Sequence, residues 1–126
     1  MKDYEKWFKK AEADLLTIEI LFKSNKAPVD ICCFHAQQAA EKYIKAYLVV
    51  KNIIFPKTHD LELLVMLATK ANPAFLEIHK VALLLLNYGV APRYPDQTDE
   101  LTFEDAKKAN GNANIIKDFI LKHFFE

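Results

Sequence analysis

The chain has 126 residues, 52% of them apolar and only two of them Gly, and its 17 basic and 17 acidic side chains cancel to a formal charge of zero. That length fits one domain over residues 1–126, and that composition excludes a disordered or loop-rich scaffold. A neutral chain exerts no global field on nucleic acid or membrane, so any such binding needs a local patch.

Near the start, Trp7, Ala11, Leu15, Ile18 and Phe22 recur at steps of three and four, which predicts a helix over 3–24. Acidic residues early in it, and Lys23 and Lys26 at its end, suit the helix dipole. The opening Met1-Lys-Asp-Tyr-Glu-Lys-Trp7 is too charged for a signal peptide, and no apolar run exceeds the six residues of 81–86, too short to span a bilayer. A cytoplasmic protein without membrane attachment is the expectation.

Asn25-Lys-Ala-Pro28 breaks the first helix, and a second is predicted over 29–51. It begins with Cys32 and Cys33, the only two cysteines. Neighbours on a helix point about 100° apart, so they cannot bridge without strain and read as reduced thiols. After the apolar connector Asn52-Ile-Ile-Phe-Pro56, a third helix is expected behind Thr58, whose hydroxyl would cap it, with Leu61, Leu64, Val65 and Ala68 inward. Asn72-Pro73 places an N-cap and a first-turn Pro at the head of a fourth helix, which Asn87-Tyr-Gly89 would end. Thr102-Phe-Glu-Asp105 has the form of a capping box with Asp for Glu, opening a last helix to about residue 125 with Ala106, Ala109, Ala113, Ile116, Ile120 and Phe124 on one stripe. No stretch alternates with period two. The expected fold is therefore all-α, an antiparallel up-and-down bundle of four to five helices.

The second helix has two faces. Ala36, Ala40, Tyr43 and Tyr47 form its natural core side. Opposite them His35, Gln38, Lys42 and Lys45 fall within about 80°, flanked by Ala39 and Ala46, which would let a backbone or flat ligand approach. Glu41 precedes Lys45 by four residues, the favourable order for a helix ion pair. The stripe is either a solvated face or a helix or ligand interface. Its amines, amide and imidazole are donors suited to phosphate or base recognition.

The string Phe34-His-Ala-Gln-Gln-Ala-Ala-Glu-Lys-Tyr-Ile-Lys-Ala46 resembles the signature helix of HEPN domains, the prokaryotic and higher-eukaryotic nucleotide-binding family. Trp7 with Ala13-Asp-Leu15, then Thr58-His-Asp-Leu61, then Arg93-Tyr-Pro-Asp96 agree with it in order, so the resemblance spans about residues 7–120. It implies a bundle of four or five helices, usually a homodimer, partnered by a minimal nucleotidyltransferase and directed at a nucleotide or RNA. Many members are toxin–antitoxin or defence ribonucleases, in which an Arg is followed by a His after four to six intervening residues. This chain departs from that motif. Arg93 is its only Arg, and no His follows in range; the late His123 has Lys117 six residues before it. A Lys retains charge but lacks the bidentate fork.

The candidate ligand-binding or interface residues are His35, Gln38, Glu41, Lys42, Lys45, His59, Asp60, Arg93 and Tyr94. Arg93 is either a phosphate clamp or an ion-pair partner of Glu41 or Asp60, and a folded-back loop would bring it to His35 and His59. No catalytic residue is assigned. The four His and two Cys lack zinc spacing, and neither a phosphate-cradling Gly-rich loop nor a Gly-x-Ser-x-Gly elbow occurs, so no metal or cofactor is expected. The leading expectation is a homodimeric nucleotide- or RNA-binding module. A ligand-free interaction protein comes next. Last is a metal-independent ribonuclease, with His35 or His123 as acid/base and Arg93 or Lys117 on the phosphate.

Overall fold

The computed structural model describes residues 2–24, 26–88 and 101–126. Five α-helices follow in order: α1 Asp3–Phe22, α2 Val29–Val50, α3 Leu61–Ala71, α4 Leu76–Leu86 and α5 Phe103–His123. A 3-10 turn, Pro73–Phe75, joins α3 to α4, and there is no strand among the described residues.

Local chemistry sets the helix ends. The capping box of α5 closes both ways: the Asp105 amide donates to Thr102 Oγ1 at 3.1 Å, and the Thr102 amide donates to Asp105 Oδ2 at 2.9 Å. Asn72 accepts from the Ala74 amide at 3.0 Å, but it caps the 3-10 turn, and the α-helix proper begins at Leu76. The cap of α3 also differs from expectation. Asp60, not Thr58, accepts from the Leu63 amide, at 3.1 Å, while the Thr58 hydroxyl accepts from the Asp60 amide at 3.0 Å and orients the cap. Gly111 lies within an unbroken α5 on its exposed side.

Ring contacts fix the helix directions. Tyr4 and Phe8 at the start of α1 meet Phe124 just past α5, at 5.0 and 4.7 Å between centroids, while Phe22 at the far end of α1 meets Phe103 at the head of α5, at 5.3 Å. The two helices are therefore antiparallel. Trp7 beside Lys45, and Asp14 beside Lys42, make α1 antiparallel to α2 as well. Phe75 before α4 meets Phe119 near the end of α5 edge to face, so α4 rises as α5 descends. An up-and-down bundle results, with α3 packed against α2 and α4.

α2 is the spine. It packs on α1, α3, α4 and α5, and the expected core residues Ala36, Ala40, Tyr43 and Tyr47 are all buried. So are Ala39, Ala46, Glu41 and Lys45 from the opposite side. Both cysteines are buried without a disulfide. No described helix is long and apolar enough to cross a membrane.

Candidate functional site

The polar face of α2 is built around two carboxylates. Asp14 lies inside the apolar stripe of α1, three residues after Ala11 and four before Ile18, so the helix geometry turns it toward α2. Its side chain is 9% exposed and accepts from Lys42 Nζ at 2.6 Å and from His35 Nδ1 at 2.8 Å. Ala39 lies one turn from both His35 and Lys42, and its small side chain admits α1 at this crossing. Both Ala margins, Ala39 and Ala46, are buried within the chain.

The second carboxylate, Glu41, is 2% exposed. It accepts from Lys45 Nζ at 2.6 Å, from His59 Nδ1 at 3.0 Å, and from Gln38 at 3.5 Å. The Lys45 ammonium also donates to the Thr58 carbonyl at 2.8 Å and sits 5.2 Å from the Trp7 ring and 6.0 Å from the Phe55 ring. An ammonium so enclosed is held by a carboxylate, a carbonyl and two π faces together. The exposed-pair value of about 0.3–0.5 kcal/mol therefore does not apply to Glu41 and Lys45.

Each carboxylate thus binds one lysine and one imidazole, in both cases through Nδ1. An ionised carboxylate only accepts, so Nδ1 carries the proton and Nε2 is left for a second partner. His35 is partly exposed and His59 is 81% exposed, so the second site is accessible at both rings, most openly at His59. Asp60 caps α3 beside it. The structure therefore brings His35, Gln38, Glu41, Lys42, Lys45 and His59 onto one face. Arg93 and Tyr94 lie outside the described residues.

Comparison with known proteins places the chain in a family. The HEPN domain family model matches residues 4–123. The chain belongs to the HEPN domain family. A protein of Methanocaldococcus jannaschii named "Putative toxin MJ1304" is 32% identical over 142 aligned positions, covering 96% of this chain and 91% of that one. The crystal structure of ST0689, an archaeal HEPN homologue, superposes with a TM-score of 0.74 at 28% identity, covering 98% of this chain and 99% of that one.

Within this HEPN domain the late histidine packs at the end of α5. His123 is 9% exposed, stacks on Phe119 at 4.3 Å between centroids, and bonds Glu126 through Nδ1 at 2.6 Å. That hydrogen bond is the first cause holding the Glu126 carboxyl below its ordinary range. His123 Nε2 is buried without a partner among the described residues. Lys117 instead lines a furrow between α1 and α5. His79 is half-buried on α4. No group of three or more potential metal ligands occurs among the described residues. Sequence reasoning missed Asp14 as a site residue. Its signal was an acid in the middle of the α1 apolar stripe.

Proposed function

We propose that this HEPN domain is the nucleotide- or RNA-directed member of a toxin–antitoxin-type pair, a cytoplasmic, homodimeric binding module whose ligand meets the α2 edge at His35 and His59. One observation carries the reading: two imidazoles are each held through Nδ1 by a buried, lysine-paired carboxylate, leaving Nε2 for an incoming group. So held, a neutral ring accepts from a ribose hydroxyl or base N–H, and a protonated ring donates to a phosphate oxygen. Family membership supports the nucleotide class and a minimal nucleotidyltransferase as partner, and the relative's name as a toxin supports the pairing.

Lys42 and Lys45 are not the ligand cations in this reading, because each is committed to a carboxylate of the fold. The decisive variant is His59→Ala. The ring is exposed, and Glu41 keeps Lys45, so the fold should survive. Fluorescence polarisation with short single-stranded RNA, and thermal shift with ATP, should show binding that weakens about fivefold or more in His59→Ala, the equivalent of one hydrogen bond of about 1–1.5 kcal/mol. Binding untouched by both His59→Ala and His35→Ala, or no binding of any nucleotide or RNA, would refute the reading.

A second reading has its own observation. Both lysines and both imidazoles on this face are bonded within the chain, which suits a protein that only associates with other proteins. Co-purification with a nucleotidyltransferase in the absence of nucleotide or RNA affinity would favour it.

A further inference from the structure

α1 and α5 both pack on α2 and are clasped to each other by aromatic rings at their two ends, Phe8 on Phe124 and Phe22 on Phe103. Between the clasps a furrow of about 200 Å³ remains. Its α1 wall is Glu12, Leu15, Leu16 and Glu19, and Tyr43 of α2 lines it too.

Tyr43 is the telling residue. It is 1% exposed, yet its hydroxyl has no hydrogen-bond partner among the described residues. A buried hydroxyl lacking a partner is costly and calls for one from outside the chain. Burial, reinforced by Glu12 and Asp118, pushes its ionisation up to about 12, so the phenol is neutral and sits in a negative field.

The other polar groups agree in sign. Neither Glu12 nor Glu19 has an ion-pair partner among the described residues. Asn114 spends its amide hydrogens on Asn110, at 2.8 Å to the carbonyl and 3.3 Å to Oδ1, and so offers the furrow its own acceptor oxygen. Against these acceptors stands one lining ammonium, Lys117. Glu12 and Glu19 are seven residues apart, two turns or about 10.5 Å along the axis, with Leu15 and Leu16 between them.

We propose that this furrow binds a linear aliphatic diamine, one ammonium at Glu19 and Asn114, the other at Glu12 beside the Tyr43 hydroxyl, with the methylenes along Leu15 and Leu16. Length selectivity follows, because both ammonium groups must reach a carboxylate while the chain between them stays on leucine. The inference is independent of ligand binding at His35 and His59.

Isothermal titration at low salt with putrescine and cadaverine, against n-butylamine as the single-charge control, tests it. A saturable one-to-one heat is expected for at least one diamine, with butylamine at least about tenfold weaker. Tyr43→Phe should weaken the diamine about tenfold, as the loss of one hydrogen bond to a charged group, while the ligand-free protein melts no lower than the parent. Glu19→Gln should also weaken it, and Lys117→Met should tighten it by removing a like charge. Absence of saturable heat at millimolar diamine would mean that water alone serves Tyr43. Binding that survives both Tyr43→Phe and Glu19→Gln would be mere surface charge. Weaker binding in Lys117→Met would assign the furrow to an anion or zwitterion. Any of these three results overturns the proposal.

Discussion

Replacing Lys45 by Met keeps an unbranched side chain at the site and deletes the ammonium that sits by Trp7 and Phe55. The deletion leaves Glu41, 2% exposed, with His59 and Gln38 as partners, and strips the Thr58 carbonyl of its donor. Breaking one side of a buried ion pair costs about 3–5 kcal/mol. Here His59 compensates in part, so about 3 kcal/mol is expected. For 126 residues at about 2.1 cal/mol/K each, the unfolding entropy is about 0.26 kcal/mol/K, and the melting temperature should fall by about 11 °C. Circular dichroism melts at 222 nm measure this directly. The double variant Lys45→Met with Glu41→Met removes both charges and should recover most of the loss. A single-variant loss below about 1 kcal/mol would refute the buried-pair account, as would a double variant that merely adds two single losses.

Gly111→Ala should raise stability by about 0.5–1 kcal/mol in urea denaturation, since an added Cβ meets nothing within 4 Å and the helix gains a better former. Thr102→Ala should cost about 1 kcal/mol by the same measure, as one half of the α5 capping box is lost. The Cys32 and Cys33 thiols are buried, and burial pushes Cys32 up from its ordinary value; a thiol reagent such as Ellman's should react with them only once the chain is unfolded. Tyr43 gives a pH dependence with a definite sign. Folding raises its ionisation from 10 to about 12, so above pH 10 the unfolded chain loses that proton while the folded one holds it, and stability falls as pH rises through this window. Tyr43→Phe should flatten that decline in melts taken across pH 9–12.

Much of the bundle was legible because helical periodicity reports which residues share a face. Ala106, Ala109, Ala113, Ile116 and Ile120 are buried as their spacing demands, and Ala36, Ala40, Tyr43 and Tyr47 likewise. Periodicity says nothing about what lies across from a face. His35, Lys42 and Lys45 therefore read as either a solvated stripe or an interface, and only the fold shows that α1 covers part of it through Asp14. Asp14 entered only through the Ala13-Asp-Leu15 resemblance, because only the partner helix reveals why a carboxylate belongs there. Lys45 was hidden more deeply still. Its cage draws on Trp7, Phe55 and Thr58 from other segments, and no local pattern joins those residues. The cap of α3 was misplaced by two residues, since the hydroxyl of Thr58 and the carboxylate of Asp60 can each serve a helix start and the sequence does not rank them.

The pinning of α1 to α2 by Asp14 also sets an order of assembly. These helices are joined by the short segment 23–28, so their contacts close a small loop early, whereas α5 reaches the same spine only after more than fifty intervening residues. The α1–α2 hairpin is therefore expected to form the folding nucleus, with α5 zipping on afterwards. Stopped-flow chevrons separate the two roles. Asp14→Asn should chiefly slow refolding, and Thr102→Ala should chiefly speed unfolding. The reverse pattern would place the nucleus on α5. A hairpin that persists while α5 detaches would also give the chain a partly open form, in which the spine's α5-facing side is exposed to another molecule before the bundle closes.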